Sequence, residues 1–382
     1  MPDAVVIGGG LAGSSLAIRL SAFGWKTLLL ERQSFPRHKA CGEFLSPETK
    51  MMFRELGVLE RLEMLGPERI TKTRLIFRHG GMVEADLEEP AWGLSRHAMD
   101  SIMLQAAEAA GAKVLTETSV SSIAAERKGF RIGIRKNGTS EVLLARSAYA
   151  AWGAHPRLEL AGQSPAADKK GIRSYIGLKA HFHGIHLDNT VELYFIRGGY
   201  VGLAPIEDGK VNVAALVPLD QARGKGSSVF ELLLSAAGEN ELLAHRLRSG
   251  ILLTDTQVSA APVHLSDKPS AWSIVPQVGD AGSMIPPLFG DGMSAALRSA
   301  KLCAWYGDRF LRGEISLEAW QEAYRSSISK EYAAILRWGK ILQTLGSMPV
   351  VPRIWTAGTR MFPRLAGYMV QATRLHGKTS LL

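Results

Sequence analysis

AVVIGGGLAG, residues 4–13, joins a short apolar run to glycines at fixed intervals. Its first five residues are of strand type, and Gly8, Gly10 and Gly13 follow the G-x-G-x-x-G spacing. The next run, SSLAIRLSAFG, has the apolar periodicity of a helix, and KTLLLER then predicts a second strand that finishes with Glu31. The order of strand, turn, helix, strand and acid predicts a βαβ unit that binds a dinucleotide.

Each part of this unit has a physical role in holding a phosphate-bearing ligand. Gly8 allows the tight turn, Gly10 lets a pyrophosphate approach the backbone, and Gly13 lets the helix pack closely on the strand. The helix N-terminus supplies free N–H groups and a partial positive charge. Glu31 is placed to accept hydrogen bonds from a ribose, which argues against a 2′-phosphate there. FAD and NAD share this pattern, so another stretch must distinguish them.

A second glycine-rich stretch, IVPQVGDAGSMIPPLFGDGMSAALRS, covers residues 274–299. A strand-like run leads to Gly279 and Asp280, a proline pair follows, and GDG at residues 290–292 opens a long helical segment. A buried carboxylate such as Asp280 is costly unless it is hydrogen-bonded, and a ribityl chain offers hydroxyl donors. The turn that ends at Met293 would aim the N–H groups of a helix start at an electron-rich ring edge.

With both stretches in place, the sequence resembles the flavoprotein monooxygenase superfamily that has the para-hydroxybenzoate hydroxylase fold. In that superfamily a Gly-Asp motif is followed by Pro-Pro and a Gly-x-Gly turn at this spacing. The sequence is most similar to the geranylgeranyl-reductase-like branch, whose Arg-x-Lys-x-Cys-Gly stretch is matched by Arg37, Lys39, Cys41 and Gly42. The resemblance extends over most of the chain, and it implies FAD as cofactor and NAD(P)H as external reductant.

The fold class that we expect is α/β, or more fully an α+β two-domain protein. It has a Rossmann-type FAD-binding domain, an antiparallel-sheet substrate domain and a helical C-terminal segment. Three alternating runs, YIGLKAHFHG, VELYFIRGGYVGLAP and KVNVAALVP, support the antiparallel sheet, and AGQSPAADKK reads as a linker. The predicted ranges are 1–72, 95–170 and 269–315 for the discontinuous FAD-binding domain, 73–94 and 171–268 for the substrate domain, and 316–382 for the C-terminal segment.

The residues expected to contact FAD come from the two glycine-rich stretches, the ribose acid and its neighbour, and the stretch after it. By the resemblance, Arg96 in GLSRHAMD starts a helix that lies along the flavin, and Val120 lies where a strand passes the adenosine. The full set is Gly8, Gly10, Leu11, Ala12, Gly13, Glu31, Arg32, Arg37, Cys41, Gly42, Arg96, Val120, Gly279, Asp280, Pro287, Gly290, Gly292 and Met293.

FPRHKACGEFLSPE, residues 35–48, supplies the catalytic candidates. We expect this stretch to run from the adenosine end toward the flavin ring, so that its basic residues meet the diphosphate. Cys41, Gly42 and Glu43 would then border the ring and the substrate. Cys41 is a candidate catalytic thiol, with packing against the ring as the alternative. Glu43 is a candidate proton donor or acceptor, with anchoring of the loop as the alternative.

GLKAHFHGIH places Lys179, His181 and His183 on one face of a strand by period two, opposite three apolar residues. A metal site is disfavoured because no carboxylate or cysteine completes a ligand set nearby, and no metal is expected. Ordinary histidines on a sheet face and a role in proton relay or substrate contact both remain open.

The leading hypothesis for the reaction is a single-component flavin monooxygenase that acts on an aromatic or polyketide-like small molecule through a flavin C4a adduct. The alternative is geranylgeranyl-reductase-like hydride transfer to a C=C bond of a lipophilic substrate. A flavin-dependent halogenase is disfavoured because the Trp-x-Trp-x-Ile-Pro motif of those enzymes is absent. The non-enzymatic alternative is a scaffold or sensor that binds FAD without turnover.

Composition and charge limit the compartment and the partners. The chain has 382 residues, a net charge of +9 and two cysteines, Cys41 and Cys303, which suits the cytoplasm. No signal peptide or membrane span is apparent. Seven cations and no acid lie among apolar residues from Tyr332 to Leu382. This basic segment predicts a solvated helical face, or a surface for an anionic membrane or an acidic carrier protein, whereas no nucleic-acid module accompanies it.

Overall fold

The computed structural model describes residues 1–78, 80–154, 159–160, 173–226, 228–265, 268–285 and 290–347. Strands and helices alternate in the first part of the chain, and strands dominate its middle. The strands are β1 (Ala4–Ile7), β2 (Thr27–Leu30), β3 (Phe44–Leu45), β4 (Glu68–Ile76), β5 (Met82–Gly93), β6 (Lys113–Leu115), β7 (Thr118–Glu126), β8 (Gly129–Lys136), β9 (Thr139–Ala145), β10 (Ser147–Ala150), β11 (Glu159–Leu160), β12 (Tyr175–His183), β13 (Thr190–Ile196), β14 (Gly199–Ile206), β15 (Lys210–Pro218) and β16 (Ile251–Val263). The helices are α1 (Leu11–Ala22), α2 (Thr49–Glu55), α3 (Leu59–Glu63), α4 (Arg96–Ala109), α5 (Leu219–Ala222), α6 (Val229–Ala237), α7 (Glu241–Ser249), α8 (Gly292–Leu311) and α9 (Leu317–Ser347).

A parallel four-stranded sheet in the order β10-β1-β2-β6 forms the centre of the nucleotide-binding part. Alternate residues of β1 face opposite layers. Ala4 and Val6 pack in a core with helices α1, α4, α8 and α9. Val5 and Ile7 pack against the second sheet, of order β11-β7-β8-β9. The predicted Rossmann-type unit is confirmed, because β1, α1 and β2 follow one another where the glycine pattern placed them.

An eight-stranded sheet in the order β16-β12-β15-β14-β13-β4-β5-β3 forms the second part. Its pairs are antiparallel except for β13 with β4, which run parallel, so the sheet is mixed rather than purely antiparallel. One face carries an apolar cluster that includes residues of α6 and α7. The opposite face is turned toward the glycine-rich turns.

Two local predictions differ from the structure. The run before Gly279 was expected to be a strand, but it makes only two isolated bridges, between Ala150 and Gln277 and between Trp272 and Pro276. Pro276 has no N–H to donate to a strand ladder. The run VELYFIRGGYVGLAP forms two strands, β13 and β14, since Gly198 takes a positive φ of 70° and reverses the chain.

The domain ranges remain a prediction. The eight-stranded sheet begins before the predicted boundary at residue 73, because it includes β3 and the start of β4. The predicted linker at 161–170, Pro287 and the basic segment beyond residue 347 lie outside the described residues.

The described part of α9 braces the second glycine-rich stretch. The hydroxyl of Tyr324 donates a hydrogen bond to the carbonyl of Gln277 (2.9 Å), and that of Tyr332 donates to the carbonyl of Ala295 in α8 (2.8 Å). None of the helices in the described ranges is both long enough and apolar enough to cross a lipid bilayer.

Candidate functional site

The first glycine turn is shaped by close backbone approach. Gly8 has a φ of 111°, and a Cβ at this position would collide with the carbonyl of Ala151. A Cβ on Gly13 would collide with the carbonyl oxygen of Gly8, so the helix could not approach the strand. These two glycines are therefore required by the fold itself, before any ligand is considered.

Gly10 differs, because the space in front of it is lined by cations rather than backbone. A Cβ on Gly10 would lie 3.7 Å from Arg96 Nη2, 3.9 Å from Arg37 Nη2 and 4.0 Å from Lys39 Nζ. Gly10 is also the N-cap of α1, and no side chain caps that helix end. Three positive side chains therefore converge on a helix N-terminus. This arrangement fits the diphosphate of a dinucleotide such as FAD.

Glu31 has the position expected of a ribose acid and also braces the turn. Its Oε2 accepts a hydrogen bond from the N–H of Gly9 (2.8 Å), and its Oε1 accepts one from the N–H of Gln33 (2.9 Å). Arg37 Nη2 lies 3.5 Å from Oε2. Donors on both oxygens thus hold the carboxylate in place beside the turn.

The positive charge at this place is fixed by a buried ion pair. Arg96 donates to both oxygens of Asp100 on the next turn of α4 (2.7 and 2.8 Å), and both side chains are buried. Burial by itself would lower the pKa of Arg96, but Asp100 raises it, so the guanidinium stays charged. Burial lowers the pKa of Lys39, and the nearby Arg96 lowers it further. An anion in this space would relieve that repulsion.

The second glycine-rich stretch meets the first across the same space. Gly279 has a φ of 58°, and its N–H donates to Ser299 Oγ of α8 (2.9 Å). Gly290 has a φ of 75°, and a Cβ there would collide with the ring of Phe44. Gly292 begins α8.

One cavity of about 310 Å³ joins these elements. It is bordered by residues from both glycine-rich stretches, by the loop before β3 and by the eight-stranded sheet. Of the predicted site residues, those that line it are Gly10, Leu11, Ala12, Cys41, Gly42, Glu43, Arg96, Gly279, Asp280, Gly290, Gly292 and Met293. Gly8, Gly13, Glu31 and Arg37 surround the first turn instead.

Two predicted residues lie apart from this cavity. Arg32 is exposed to solvent immediately after Glu31. Val120 is buried in β7 among the apolar residues between the two smaller sheets. The structure thus gives neither side chain a contact with the cavity.

The part of the cavity against the eight-stranded sheet is apolar, and we call it the chamber. Its wall is built from alternate residues of four neighbouring strands, since only one face of a sheet points inward. The register places Leu75 beside Leu193, and Leu193 opposite Gly202. The chamber residues on these strands are Thr73, Leu75, Phe77, Val83, Ala85, Leu87, Val191, Leu193, Phe195, Tyr200, Gly202 and Ala204.

A polar cluster lies on the same sheet face, beside the chamber. Glu43 is fully buried and has a φ of 54°, a strained conformation for a residue other than glycine. Its Oε1 accepts from the N–H of Arg96 (2.9 Å) and lies 3.4 Å from Lys179 Nζ. Its Oε2 is 2.6 Å from His181 Nε2. Three donors therefore surround one carboxylate.

These donors hold Glu43 in its charged form. Burial by itself would raise the pKa of Glu43, but the hydrogen bond from His181 and the charge of Lys179 lower it below the ordinary value. Because an ionised carboxylate only accepts, the Nε2–H of His181 is the donor. Glu43 is consequently an acceptor at neutral pH, which favours the anchoring role over that of a proton donor.

The cluster continues away from the cavity through two histidines. Lys179 Nζ donates to His38 Nδ1 (3.0 Å), and the His38 ring stacks on that of His97 with centroids 4.6 Å apart. Burial, and next the charge of Lys179, lower the pKa of His38 from 6.5 to about 4, so His38 is neutral at neutral pH. Burial also lowers the pKa of Lys179, which Glu43 opposes.

Sequence reasoning named Lys179 and His181 but did not pair them with Glu43. The signal was present in their period-two spacing, which the structure bears out, since both face the loop before β3. Cys41 lies in that loop, where its carbonyl accepts from Asn212 Nδ2 (3.0 Å) and its Sγ lies 4.0 Å from Arg96 Nη1. No described cluster of three or more His, Cys, Asp or Glu side chains is arranged to hold a metal ion.

Comparisons with known proteins show the family to which this chain belongs. The family described as FAD binding domain matches residues 1–330. A menaquinone reductase of Mycobacterium tuberculosis is 25% identical over 90% of this chain and 86% of its own. Aklavinone 12-hydroxylase of Streptomyces peucetius subsp. caesius is 25% identical over 82% of this chain and 68% of its own. A 1H-pyrrole-2-carbonyl-[peptidyl-carrier protein] chlorinase of Pseudomonas fluorescens is 24% identical over 79% and 74%.

Among solved structures, the fold is similar to that of a geranylgeranyl bacteriochlorophyll reductase-like protein from Thermoplasma acidophilum. The TM-score is 0.77, the identity is 18%, and the match covers 97% of this chain and 99% of the other. At that identity the likeness concerns the fold alone.

Proposed function

The chain belongs to the FAD binding domain family and is an FAD-dependent oxidoreductase; from this premise we propose that it reduces a C=C bond of a lipophilic small molecule. This proposal takes up the alternative of the sequence interpretation rather than its leading hypothesis. FAD, when bound, supplies two-electron chemistry, either toward an unsaturated substrate or toward oxygen.

The single observation that carries the proposal is the apolar character of the chamber. Among its residues on β4, β5, β13 and β14, only Thr73 and Tyr200 have a polar group in the side chain, and neither carries a charge. An apolar chain gains roughly 25 cal/mol for every Å² that it removes from water, whereas a polar ligand would leave hydrogen bonds unmade. The wall therefore favours a hydrocarbon-rich substrate.

The relatives give separate support. The menaquinone reductase matches this chain over most of both lengths. A digeranylgeranylglycerophospholipid reductase of Methanothermobacter thermautotrophicus does so as well, over 90% of this chain and 87% of its own. By their names, these proteins act on a menaquinone and on a glycerophospholipid.

The proposed roles toward the cofactor follow from the charges and the close approaches. Arg37, Lys39 and Arg96, with the N-terminus of α1, would hold the diphosphate, and Glu31 would accept from a ribose. Asp280 would accept from the ribityl hydroxyls. Gly42 and the start of α8, from Gly290 to Met293, would allow the backbone to approach the ring.

Glu43 would serve as a positioning group rather than a catalytic acid. Its carboxylate orients His181 and Lys179 and ties the loop before β3 to the sheet. This leaves proton transfer to a group that faces the chamber. Cys41, which lines the cavity near Arg96, remains a candidate for packing or for catalysis.

Anaerobic single turnover tests the reaction type. The FAD-loaded protein is reduced with dithionite, excess reductant is removed, and an alkenyl lipid is added without oxygen. We expect flavin reoxidation together with a product that has gained hydrogen, because hydride transfer requires no oxygen. Free reduced FAD with the same lipid is the control for reaction in solution.

The opposite result would be a product that forms only when oxygen is admitted and that contains an added oxygen atom. That result would replace reduction by hydroxylation. Repeating the reduction step with NADH and with NADPH tests the proposed external reductant separately, because dithionite makes the first experiment independent of it.

Hydroxylation of an aromatic or polyketide-like molecule is the second candidate. The observation in its favour is that Tyr200 and Thr73, whose side chains carry hydroxyl groups, line the chamber wall. These hydroxyls are suited to orient a phenol or a ketone. The aklavinone 12-hydroxylase among the relatives agrees with this candidate.

The partner and the compartment are also proposals. The basic C-terminal segment would meet an anionic membrane or an acidic carrier protein, and the protein would be cytoplasmic and peripheral to the membrane. One relative is named for a substrate carried on a peptidyl-carrier protein, which supports the carrier alternative.

A further inference from the structure

Two stacked aromatic rings border the chamber where β4 and β13 end. Phe77 follows β4 directly, and Phe195 lies one residue before the end of β13. Their centroids are 5.2 Å apart with an angle of 13° between the ring planes, and both side chains line the cavity although they are almost fully buried. Val83 completes the same small apolar cluster.

Between this pair and the loop before β3, the side chains on the chamber face of the sheet are small. Gly202 and Ala204 alternate along β14 with Val201 and Leu203, which pack on the opposite face of the sheet. Ala214 is opposite Gly202 on β15. A Cβ on Gly202 would lie 3.2 Å from Leu193 Cδ2, so even a methyl group there would reduce the space above the strand. The small residues thus leave a trough along the sheet.

The trough has one end near the cofactor side and one end at the aromatic pair. At the cofactor side, Phe44 packs against the cluster that contains Val191 and Ala204. The polypeptide advances four residues from Thr73 to Phe77, which corresponds to about 13 Å along a strand. Behind the pair the molecule becomes polar, because Arg78 Nε lies 3.3 Å from Glu239 Oε2 and the N–H of Arg197 donates to the same oxygen (2.7 Å).

We propose that Phe77 and Phe195 set the length of the apolar chain that the chamber accepts. The chain of the ligand lies along the trough over Gly202, with its end against the stacked rings. A longer chain would have to displace two packed rings and then approach an ion pair, which costs free energy instead of gaining it. The inference rests on the apolar substrate of the proposed function but not on whether that substrate is reduced or hydroxylated.

A homologous series of 4-alkylphenols tests this length limit by binding alone. Dissociation constants are measured by isothermal titration calorimetry on the oxidised FAD-loaded protein, where no turnover occurs. In the wild type, each added methylene should tighten binding roughly fourfold, the equivalent of ~0.8 kcal/mol, until the chain reaches the rings and the gain stops. In Phe77→Ala and in Phe195→Ala the gain should continue to longer chains.

Phe182→Ala is the matched control. Phe182 is a buried phenylalanine of the same sheet, but it faces the cluster under α6 and α7. Its replacement removes the same atoms without touching the chamber, so the chain length at which the gain stops should equal that of the wild type. Gly202→Val is the reciprocal variant, and it should move that point to shorter chains.

The outcomes separate the two proposals. If the wild type shows a length limit that neither phenylalanine variant shifts, the rings do not set it, and the inference is wrong while the apolar chamber stands. If no alkylphenol of any length binds to the wild type, the apolar substrate of the proposed function fails together with the inference. Should Phe77→Ala not fold, Phe77→Leu and Phe195→Ala give the same comparison.

Discussion

Replacing Lys179 by methionine would leave the Glu43 carboxylate buried without its nearest full positive charge. The two groups are 3.4 Å apart, and both side chains are wholly shielded from solvent. Removing one partner of a buried ion pair costs about 3–5 kcal/mol, because the remaining charge is uncompensated. At about 2.1 cal/mol/K of unfolding entropy per residue, this loss lowers the melting temperature of the 382-residue chain by ~4–6 °C.

The destabilisation caused by Lys179→Met should depend on pH, because it requires an ionised Glu43. In the wild type the pKa of Glu43 is lowered, so its ionised form stabilises the fold above the ordinary carboxyl range, and this contribution is lost as the pH falls through the lowered value. Without Lys179 the pKa of Glu43 rises. The difference in melting temperature between the wild type and Lys179→Met should therefore be full at neutral pH and shrink on acidification, when Glu43 becomes neutral in the variant.

Differential scanning calorimetry with saturating FAD measures these shifts. Lys72→Met is the matched control, because Lys72 pairs with Glu84 at the surface (3.3 Å) and such pairs contribute only about 0–1 kcal/mol. The double variant Lys179→Met/Glu43→Gln should regain most of the lost stability. If the double variant melts as low as the single one, lost packing rather than an unpaired charge is the cause, and the reasoning is refuted.

Three further predictions concern the cofactor and the C-terminal segment. Gly10→Ala should keep the melting temperature of the apoprotein but lose FAD affinity, whereas Gly13→Ala should lower the melting temperature. Calorimetry and FAD titration of both apoproteins measure these effects, and equal behaviour of the two variants would contradict the geometry. Asp280→Ala should weaken FAD binding roughly 10- to 100-fold, the worth of a hydrogen bond to a charged group, and an unchanged affinity would remove its ribityl role. Removing residues from Arg353 onward should reduce sedimentation with anionic vesicles, and equal sedimentation would favour a solvated face.

The nucleotide-binding part could be predicted because its constraints are local. Gly8 and Gly13 are five residues apart, and the collision that a Cβ on Gly13 would cause is with the carbonyl of Gly8 itself. The spacing of the glycines in the sequence is therefore enough to predict the geometry of the turn. The same holds for the helix that begins at Gly292, where the turn and the helix start are adjacent in sequence.

The chamber and the polar cluster could not be predicted in this way, because they depend on register between distant strands. Glu43 and His181 are 138 residues apart, and their hydrogen bond exists only because β12 crosses under the loop before β3. Sequence periodicity placed Lys179 and His181 on one face but did not indicate what lies over that face. Likewise, Phe77 and Phe195 meet only through the parallel pairing of β4 with β13, which the sequence interpretation did not contain.

The loop from residue 37 to residue 43 contacts both the nucleotide-binding part and the eight-stranded sheet. Arg37 and Lys39 point to the glycine turn, whereas His38 between them contacts Lys179 on the sheet. Glu43 then fixes the end of the loop to His181. Contacts to the glycine turn and contacts to the sheet are therefore made within seven consecutive residues, so a shift of the loop toward one part would break its contacts with the other. The strained, fully buried Glu43 lies where the loop enters β3, and its hydrogen bonds with His181 and with the N–H of Arg96 hold it in that conformation.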